Sequence, residues 1–397
     1  MHRRSLLRAA LAAPMAVGAP RLFAAPGADA RLLVVFQRGA CDAASVLVPI
    51  SSAFYPEARP NIAIPRPGTG PDAAMALDAD WGLHPALRES IGAMWTAGEA
   101  AFVPFAGTDD TSRSHFETQD GIELGLASGR GGDYGSGFLG RLSGVLGAPP
   151  SIAFTESPPI AFRGDRAVPN LALRAVARPS VDARQSRLIA SMYAGTPLAG
   201  KVAEGFEVRD DAMRDLDAMA GEMQAASRGA PSTRGFEAEA RRIARLMRER
   251  YSIGFVDVGG WDTHVGQGAS RGVLATRLDE LGRGLSAFAD EMGPAWSRTV
   301  VVVMSEFGRT FRENGNRGTD HGHGGVWWLL GGAVRGGRIA GEQVRVERST
   351  LFQDRDFPVL NEYRSMLGGV FARLYGLDAA RLDAVFPGAR PRDLGLV

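Results

Sequence analysis

Five apolar segments of strand length, separated by stretches with helical character, constrain the fold of this chain more than any other feature. They read RLLVVFQ, AAFVPFAG, YSIGFVDVGG, TVVVVMSEF and VWWLLGGAV, at residues 31–37, 100–107, 251–260, 299–307 and 326–334. Continuous apolar runs of this length are typical of buried strands in parallel sheets. Residues 271–292 carry apolar side chains at alternating spacings of four and three, which predicts a helix with one buried face. The alternation of strands and helices predicts an α/β fold with a mostly parallel central sheet flanked by helices.

The domain organisation follows from length and pattern. The 397 residues are enough for one large domain or two ordinary ones, and we find no internal repeat. Residues 234–251 read as helix, and residues 178–250 are mainly helical in pattern and hold no histidine. We therefore expect one domain over residues 31–397, with a helical insertion or cap at about 178–250.

The first 28 residues have the layout of an export signal. Arg3 and Arg4 are followed by Ser-Leu-Leu, by a mildly apolar stretch at 9–17, and by small residues at 24–30. The arginine pair is typical of a twin-arginine signal peptide, and the apolar stretch is too short for a membrane span. We expect export by the twin-arginine export machinery to a periplasmic or secreted location, with no stable membrane span; the alternative is a flexible basic leader.

Charge and cysteine content exclude several classes of protein. The net charge is +1, and it becomes −3 without the four arginines of the leader. A chain with this balance has no global electrostatic case for binding nucleic acid. Cys41 is the only cysteine, which excludes an intramolecular disulfide and a cysteine-only zinc site. We expect Cys41 to be a small buried side chain.

Polar residues gather where the predicted strands end. In an open α/β sheet, ligands bind beyond the carboxyl ends of the strands. Acids, histidines or hydroxyl residues follow the first four predicted strands and come just before the fifth, so we expect them to form one site. The candidates are Asp42, Thr111, Ser114, His115, Asp262, His264, Glu306, Arg309, Asp320, His321 and His323.

The histidines point to a metal. Four of the five histidines beyond the leader, His115, His264, His321 and His323, fall among these candidates, whereas His84 lies in a WGLHPAL stretch that resembles a packed corner. Imidazole and carboxylate together suit Zn, Mn, Fe or Ni, and carboxylates alone suit Mg or Ca. The Asp-x-His and His-x-His spacings place two donors on one side of an extended segment. The sequence thus predicts a divalent metal, with Zn, Mn and Ca as candidates.

Each candidate also has a simpler structural interpretation. Asp42 could cap the helix that follows it, and Asp262 could close a turn through an Asx bond. Glu306 could form an ion pair with Arg309. The histidines of the glycine-rich segment 317–325 could lie in a mobile loop without a role. The probability that all four interpretations hold together is lower than the probability of any single one.

Six segments in fixed order resemble a known family. They are LLVVFQRG running into Asp42, GLHPAL, RSHFETQD, GWDTH, SEFGRT and DHGHGG. They closely resemble the secreted bacterial family called domain of unknown function 1501, from about residue 31 to 390. That family is similar to the alkaline phosphatase-like superfamily, which includes sulfatases and cofactor-independent phosphoglycerate mutases. The resemblance implies an alkaline phosphatase-like fold, while the activity of the family itself is poorly defined.

The resemblance also implies roles for individual residues. In the superfamily the first strand ends in a metal-binding aspartate, which Asp42 matches. A later strand brings an aspartate and a histidine to one metal, matched by Asp262 and His264. The nucleophilic hydroxyl follows the second conserved block, so Ser114 is the leading candidate and Thr111 the second.

Some positions depart from the superfamily or from the nearer family. The next strand usually ends in Asp-His, and here it ends in Glu306-Phe307; a phenylalanine cannot bind metal, which puts a second metal in doubt. The last histidine of the superfamily site falls near His321 or His323, beside Asp320. The nearer family usually has glycines on both sides of Asp42, where this chain has alanines; we expect a narrower loop or negative φ at these alanines.

The mechanism implied is metal-assisted ester hydrolysis of a small-molecule or polymer substrate. A divalent metal would activate Ser114 or a bound water and polarise a P=O or S=O oxygen. The hydroxyl would attack in line, with a covalent phospho- or sulfo-enzyme as intermediate. Arg309, with Arg113 as a second candidate, would hold the oxyanion, and His115 or His323 would protonate the leaving group. Sulfatase activity ranks below phosphatase activity because no C/S-x-P-x-R pattern is present.

Three other classes of function compete with this one. A non-catalytic metal-binding envelope protein on the same scaffold is favoured by Phe307, because fold does not determine function. An amidohydrolase is prompted by His-x-His, but that motif belongs on the first strand of a TIM barrel. A serine esterase would use the GASRG at residues 268–272, which lies too far beyond the predicted strand to form a nucleophile elbow.

Overall fold

Strand β1 (Arg31–Arg38) lies inside the central sheet, with a parallel neighbour on each side. The neighbours are β7 (Ile253–Gly259) and β8 (Thr299–Ser305), so the carboxyl ends of these three strands share one edge. The structure is a computed structural model, which describes residues 29–129, 134–172, 183–207 and 235–397.

The other strands complete one large sheet and one small sheet. The large sheet adds β5 (Ala100–Gly107), β6 (Ser151–Phe154), β9 (Gly325–Leu330), β10 (Arg338–Ile339) and β11 (Asn361–Glu362). Its order is β10-β5-β9-β8-β1-β7-β6, with β11 also paired to β5. The small antiparallel sheet consists of β2 (Leu47–Pro49), β4 (Trp81–Leu83) and β3 (Met75–Ala76).

Strand β9 is antiparallel to both of its neighbours, β5 and β8. Its first residue therefore lies at the edge where β5 and β8 end. A hydrogen bond from Gly308 N to the His323 carbonyl, 2.8 Å long, joins the segment after β8 to the segment before β9. This topology brings four strand ends and one strand entry to the same edge, as the distribution of polar residues indicated.

Helices cover both faces of the sheet. The α-helices in the described residues are α1 (Ala43–Val46), α2 (Phe54–Ala58), α3 (Ile91–Thr96), α4 (His115–Leu124), α5 (Phe138–Val145), α6 (Ala183–Met192), α7 (Phe236–Glu249), α8 (Val273–Met292), α9 (Tyr363–Tyr375) and α10 (Ala379–Val385). Helices α3, α7 and α8 contribute to one apolar core, and α5, α9 and α10 contribute to the other. In β1, Leu33 and Val35 face the first core, and Leu32 and Val34 face the second. A strand buried on both faces has to be apolar throughout, which is why its sequence does not alternate.

The predicted fold class is confirmed: the sheet is mixed but mostly parallel, and helices flank it. All five predicted strands form, although the fifth ends at Leu330 instead of continuing to residue 334. Gly331 ends it, with φ of +144° and so little room that a Cβ would lie 1.9 Å from the Thr299 carbonyl oxygen. Glycine tolerates both conditions, and other residues do not.

The sequence patterns did not predict β6, β10, β11 or the small sheet. Strand β6 has four residues, SIAF, and the strands of the small sheet have two or three. Segments this short carry too few residues for a periodic pattern to emerge. Tertiary pairing creates them: β6 adds to β7 in parallel.

The predicted insertion at about 178–250 lies partly outside the described residues. Within it, α6 forms, and α7 packs against α8 with Ile243, Ala244 and Met247 buried. The predicted signal peptide at residues 1–28 lies outside the described residues. Within the described residues, no helix combines the length and apolar character needed to cross a membrane.

Candidate metal centre

Three imidazole rings and one carboxylate converge where β5, β7 and β8 end and β9 begins. Nε2 of His321 lies 2.9 Å from Nε2 of His115 and 3.1 Å from Nε2 of His264. Oδ1 of Asp262 lies 3.0 Å from Nε2 of His264 and 3.3 Å from Nε2 of His321, and its Oδ2 lies 3.6 Å from Nε2 of His115. These four residues are called the histidine–aspartate cluster below.

Local backbone features hold the members of the cluster. His115 is the first residue of α4, after the N-cap Ser114. Asp262 follows β7 in a loop that packs closely on Gly39, where a Cβ would lie 2.8 Å from the Asp262 nitrogen. His321 forms an isolated antiparallel bridge with Arg309. The cluster is thus assembled from three segments that the sheet topology brings together.

Hydrogen bonds at the outer ring nitrogens define the tautomers of the three histidines. Each Nδ1 faces an oxygen that is expected to accept. The pairs are His115 with Glu306 at 2.7 Å, His264 with Asp320 at 3.1 Å, and His321 with the Arg113 carbonyl at 3.0 Å. A neutral imidazole carries one proton, so donation at Nδ1 leaves Nε2 as a lone pair. All three lone pairs then point into the cluster.

The cluster fits a metal ion on this chemistry. Neighbouring donor atoms in the cluster lie 2.9 to 3.6 Å apart, and the ligand atoms of His115, Asp262 and His321 all lie within 4.8 Å of one another. Lone pairs and a carboxylate this close repel unless a cation or protons lie between them. Metal-binding histidines usually donate their other N–H to a carboxylate or a carbonyl, as all three do here. Three nitrogens and one carboxylate suit a transition metal such as Zn better than Ca, which takes six to eight oxygen ligands.

Neighbouring charges shift the pKa values of the cluster in opposite directions. The hydrogen bond to Glu306 raises the pKa of His115, whereas burial and the adjacent His115 lower the pKa of His321. Burial would raise the pKa of Asp262, but the hydrogen bond and charge of Arg309 lower it. The Asp262 carboxylate is therefore ionised. A proton on Nε2 of His115 would compete with a metal ion for the same lone pair.

Two predicted metal ligands, Glu306 and Asp320, accept hydrogen bonds from histidines of the cluster. The buried carboxylate of Glu306 accepts from the Gly39 nitrogen at 2.8 Å, from Gln119 Nε2 at 2.8 Å and from His115. Burial would raise the pKa of Glu306, but these donors lower it. Asp320 accepts from His264 and Asn314. Neither carboxylate is a member of the cluster, and each faces the outer ring nitrogen of one of its histidines.

Asp42, also predicted as a metal ligand, lies in a separate buried ion pair. Its Oδ1 accepts from Arg59 Nη2 at 2.9 Å, and its Oδ2 accepts from Arg59 Nη1 at 2.5 Å, from Ser45 at 2.7 Å and from Gln267 at 2.7 Å. Burial would raise the pKa of Asp42, but Arg59 outweighs burial and lowers it. Both oxygens are committed to these donors, and the carboxylate does not join the cluster. The flanking Ala40 has φ of +61°, so the expectation of negative φ is wrong there.

Arg309, predicted to hold a substrate oxyanion, faces inward. Its side chain is fully buried, and Nη1 donates to Oδ1 of Asp262. Its Nε donates to Thr319 Oγ1 at 3.1 Å, and Thr319 donates in turn to Gln267 at 2.9 Å. Gln267 is the residue that also donates to Asp42. One hydrogen-bond chain thus joins the buried ion pair to the cluster, and Arg309 orients Asp262.

The candidate nucleophiles lie at the start of α4. Ser114 is half-buried at the N-cap position, and its Oγ accepts from the Glu117 nitrogen at 3.4 Å. Thr111 is exposed, three residues earlier in the same loop. Arg113, the second oxyanion candidate, pairs with Asp356. Ser114 thus carries a hydroxyl directly before the cluster residue His115 in the chain.

The remaining histidines lie apart from the cluster. The ring of His323 packs on Phe352, with 4.8 Å between centroids, and burial lowers its pKa. His84 is buried, accepts from the Ala86 nitrogen through Nδ1, and contacts the Ala269 carbonyl through Nε2 at 3.1 Å. His84 is therefore the packed corner that its sequence context indicated.

Phe307, at the position where the superfamily usually has histidine, supports the rings of the cluster. Its ring stacks on His115, with 5.0 Å between centroids and 28° between planes, and lies 5.3 Å from the ring of His321. Phe307 is buried, so it closes one side of the cluster with an apolar wall.

Several residues that contact the site were not predicted from the sequence in the roles that the structure shows. They are Arg59, Arg113 through its carbonyl, Gln119, Gln267, Arg355 and Asp356. Each donates a hydrogen bond to, or accepts one from, a residue that is distant in the sequence. Helical spacing could have indicated only Gln119, which follows His115 by four residues on α4 and so lies on the same helix face.

Solved structures similar to this one come from the alkaline phosphatase superfamily and from sulfatases. A protein in the alkaline phosphatase superfamily from Vibrio parahaemolyticus is 12% identical, with 94% of this chain and 71% of that chain covered and a TM-score of 0.41. Ps i-CgsB in complex with k-i-k-neocarrahexaose is 9% identical, with 89% and 73% covered and a TM-score of 0.35. BT1596, a 2-O GAG sulfatase, is 8% identical, with 91% and 75% covered and a TM-score of 0.37. Structural similarity at these TM-scores supports no conclusion about activity.

Sequence comparison gives a clearer answer about the family. No curated protein matches the chain. The family model described as "Protein of unknown function (DUF1501)" matches residues 29–386, which is most of the chain. The motifs around Asp42, His115, His264, Glu306 and His321 indicated the same family from the sequence. The chain therefore belongs to the DUF1501 family.

Proposed function

We propose that this protein is an exported, metal-dependent hydrolase of phosphate esters, with sulfate esters as less favoured substrates. The observation that carries the proposal is the convergence of three Nε2 lone pairs and the Asp262 carboxylate beside a helix N-terminus that bears a hydroxyl. The twin-arginine motif of the leader supports export. The substrate would be a small molecule or a polymer that carries the ester.

The histidine–aspartate cluster would hold one divalent transition metal. His115, His264 and His321 would bind it through Nε2, and Asp262 through a carboxylate oxygen. When bound, such a metal supplies a Lewis acid for the ester oxygen and lowers the pKa of a coordinated hydroxyl or water. Zn and Mn fit this donor set, whereas Ca fits it poorly.

Ser114 would be the nucleophile. Its Oγ would form a bond to phosphorus as the bond from phosphorus to the leaving alkoxide breaks, and the Oγ proton would pass to solvent. Ser114 caps α4, and a helix N-terminus favours the negative charge of a phosphoryl group. Water would then hydrolyse the phosphoserine and release phosphate. Phosphorus stays bonded to four oxygens before and after each step.

We propose changed roles for three residues, Arg309, His115 and His323. The buried Arg309 would orient Asp262 instead of binding the oxyanion. His115 would act as a ligand held by Glu306, since both of its ring nitrogens have partners. His323 would not protonate the leaving group, because it lies apart from the cluster.

A second candidate function is a non-catalytic metal-binding envelope protein. Two observations favour it: Phe307 replaces a ligand that the superfamily usually has, and Arg59 occupies both oxygens of Asp42. A second metal held by these positions is therefore not expected. A single metal can still catalyse hydrolysis, so we rank this function below the hydrolase.

The decisive experiment measures metal content and turnover in the same preparations. Protein purified from the export compartment should contain about one transition metal per chain. His264→Ala with His321→Ala should lose it, and His323→Ala, which lies outside the cluster, should keep it. Phosphate and sulfate esters are then screened with the metal-loaded protein. Ser114→Ala should abolish turnover and keep the metal.

Three outcomes discriminate between the functions. Metal binding with turnover that depends on Ser114 supports the hydrolase. Metal binding without turnover of any ester favours the non-catalytic protein. Folded wild type that takes up no Zn or Mn on titration contradicts both.

A further inference from the structure

A buried carboxylate, Asp356, pairs with two arginines that each contact the cluster residue His321. Asp356 is fully buried, and its Oδ2 accepts from Arg113 Nη2 at 2.7 Å and from Arg113 Nε at 3.2 Å. Arg355 Nη1 lies 3.4 Å from the same oxygen. Asp356 itself does not touch the histidine–aspartate cluster, so any effect it has on metal binding must pass through the arginines.

Arg113 connects Asp356 to the ring of His321. Its carbonyl accepts from His321 Nδ1 at 3.0 Å, which is the bond that leaves His321 Nε2 as a lone pair. Arg113 has φ of +55°, a conformation that residues other than glycine adopt only when contacts hold them there. The ion pair with Asp356 is such a contact. It holds the peptide in the orientation that points the carbonyl at the ring.

Arg355 connects Asp356 to the main chain of the same residue. Its Nη2 donates to the His321 carbonyl at 2.9 Å, and its own carbonyl accepts from the Phe311 nitrogen at 2.9 Å. His321 is thus fixed at its ring by one arginine and at its backbone by the other. Both arginines contact the same carboxylate oxygen of Asp356, and Arg113 Nη2 also donates to Gln353 Oε1 at 2.9 Å.

Asp356 is itself held rigidly. Its backbone nitrogen donates to the Phe352 carbonyl at 3.0 Å, and its carbonyl accepts from the Phe352 nitrogen at 2.8 Å. Its Oδ1 is buried with no hydrogen-bond partner in the described part of the chain. A buried carboxylate needs opposite charges beside it, and the two arginines supply them. The three side chains therefore form one unit.

We infer that Asp356 is a positioning residue for the proposed metal ligand His321 and, through the backbone of Arg113, for the adjacent Ser114. The inference rests on the proposed function, because it assigns these residues a purpose only if the cluster binds metal. Partners of ligand histidines set the tautomer and ring orientation, and their loss typically weakens metal affinity about 10- to 100-fold.

The test is Zn affinity, measured by competition with a chromophoric chelator, together with the absorption spectrum of the Co-substituted protein. Asp356→Asn should raise the Zn dissociation constant about 10- to 100-fold and change the Co spectrum as His321 loses its orientation. Arg113→Gly should weaken binding similarly, because glycine accepts the positive φ but lacks the anchor. The matched control is Glu291→Gln, since Glu291 also pairs with two arginines, Arg245 and Arg248. If weaker Zn binding reflected only a loss of protein stability, Glu291→Gln would also bind Zn more weakly.

Each outcome has a distinct meaning. Wild type that binds neither Zn nor Mn overturns the proposed function, whatever the variants do; if it binds only Mn, the same affinities are compared with Mn. Wild type that binds Zn, with Asp356→Asn and Arg113→Gly binding equally well, overturns this inference alone. Should Asp356→Asn fail to fold, Arg355→Gln replaces it, because Arg355 is partly exposed: weakened Zn binding supports the inference, and unchanged binding overturns it.

Discussion

Nδ1 of His115 lies 2.7 Å from Oε1 of Glu306, and this contact turns Nε2 of His115 toward His321 and Asp262. Glu306 comes from the segment after β8, and His115 comes from the start of α4. The pair therefore joins two segments that are far apart in the sequence. It also explains why a glutamate stands at a position where a direct metal ligand was expected.

Glu306→Gln should weaken Zn binding about 10- to 100-fold without abolishing it, because the amide can still accept from His115 but lacks the charge. Zn titration against a competing chelator measures the effect. Glu123→Gln is the matched control, since Glu123 is a buried glutamate of α4 that pairs with Arg38 outside the cluster. Equal Zn affinity of Glu306→Gln and wild type would remove Glu306 from the site.

Asp42→Asn should lower the free energy of unfolding by about 3–5 kcal/mol and leave the metal content unchanged. The reason is that Arg59 would remain buried without its counter-charge, and breaking a buried pair costs about this much. Urea unfolding and elemental analysis provide the two readouts. The double variant Asp42→Leu with Arg59→Met, which removes both charges, should recover much of the loss. A folded Asp42→Asn that has lost its metal would instead make Asp42 a ligand.

Phe307→His, which restores the residue usual in the superfamily, should not add a second metal. Both oxygens of Asp42 are committed to Arg59, so the new imidazole would lack the carboxylate partner. Metal content per chain, measured beside Phe307→Leu as the apolar control, decides the point. A second equivalent in Phe307→His would show that the Asp42–Arg59 pair opens to admit an ion.

His84 should make the protein less stable as the pH falls from 6.5 to about 4. Burial lowers the pKa of His84 from 6.5 to about 4, so in this window the unfolded chain binds a proton that the folded chain does not. Stability therefore rises with pH across the window, and the contribution is about 3 kcal/mol. Urea unfolding across this range should show a steeper pH dependence in wild type than in His84→Gln. Equal slopes would mean that His84 is protonated in the folded state.

The sequence by itself determined the scaffold. The five apolar runs became five buried strands because a strand covered on both faces must be apolar along its whole length. Polar residues at the ends of those runs had to meet, because parallel strands align their carboxyl ends at one edge. Asp262, His264 and His321 could therefore be predicted as neighbours from pattern alone.

The tertiary structure alone decided which of the predicted residues share a centre and what each one contacts. In the sequence, Asp42 and Glu306 are both acids that follow a strand. In the structure, Asp42 forms an ion pair with Arg59, whereas Glu306 accepts a hydrogen bond from His115. These pairings depend on side chains from other segments, Arg59 and His115, and on angles that a one-dimensional pattern does not contain. Hydrogen bonds and ion pairs form within about 3 Å, so their partners follow from packing and not from spacing along the chain.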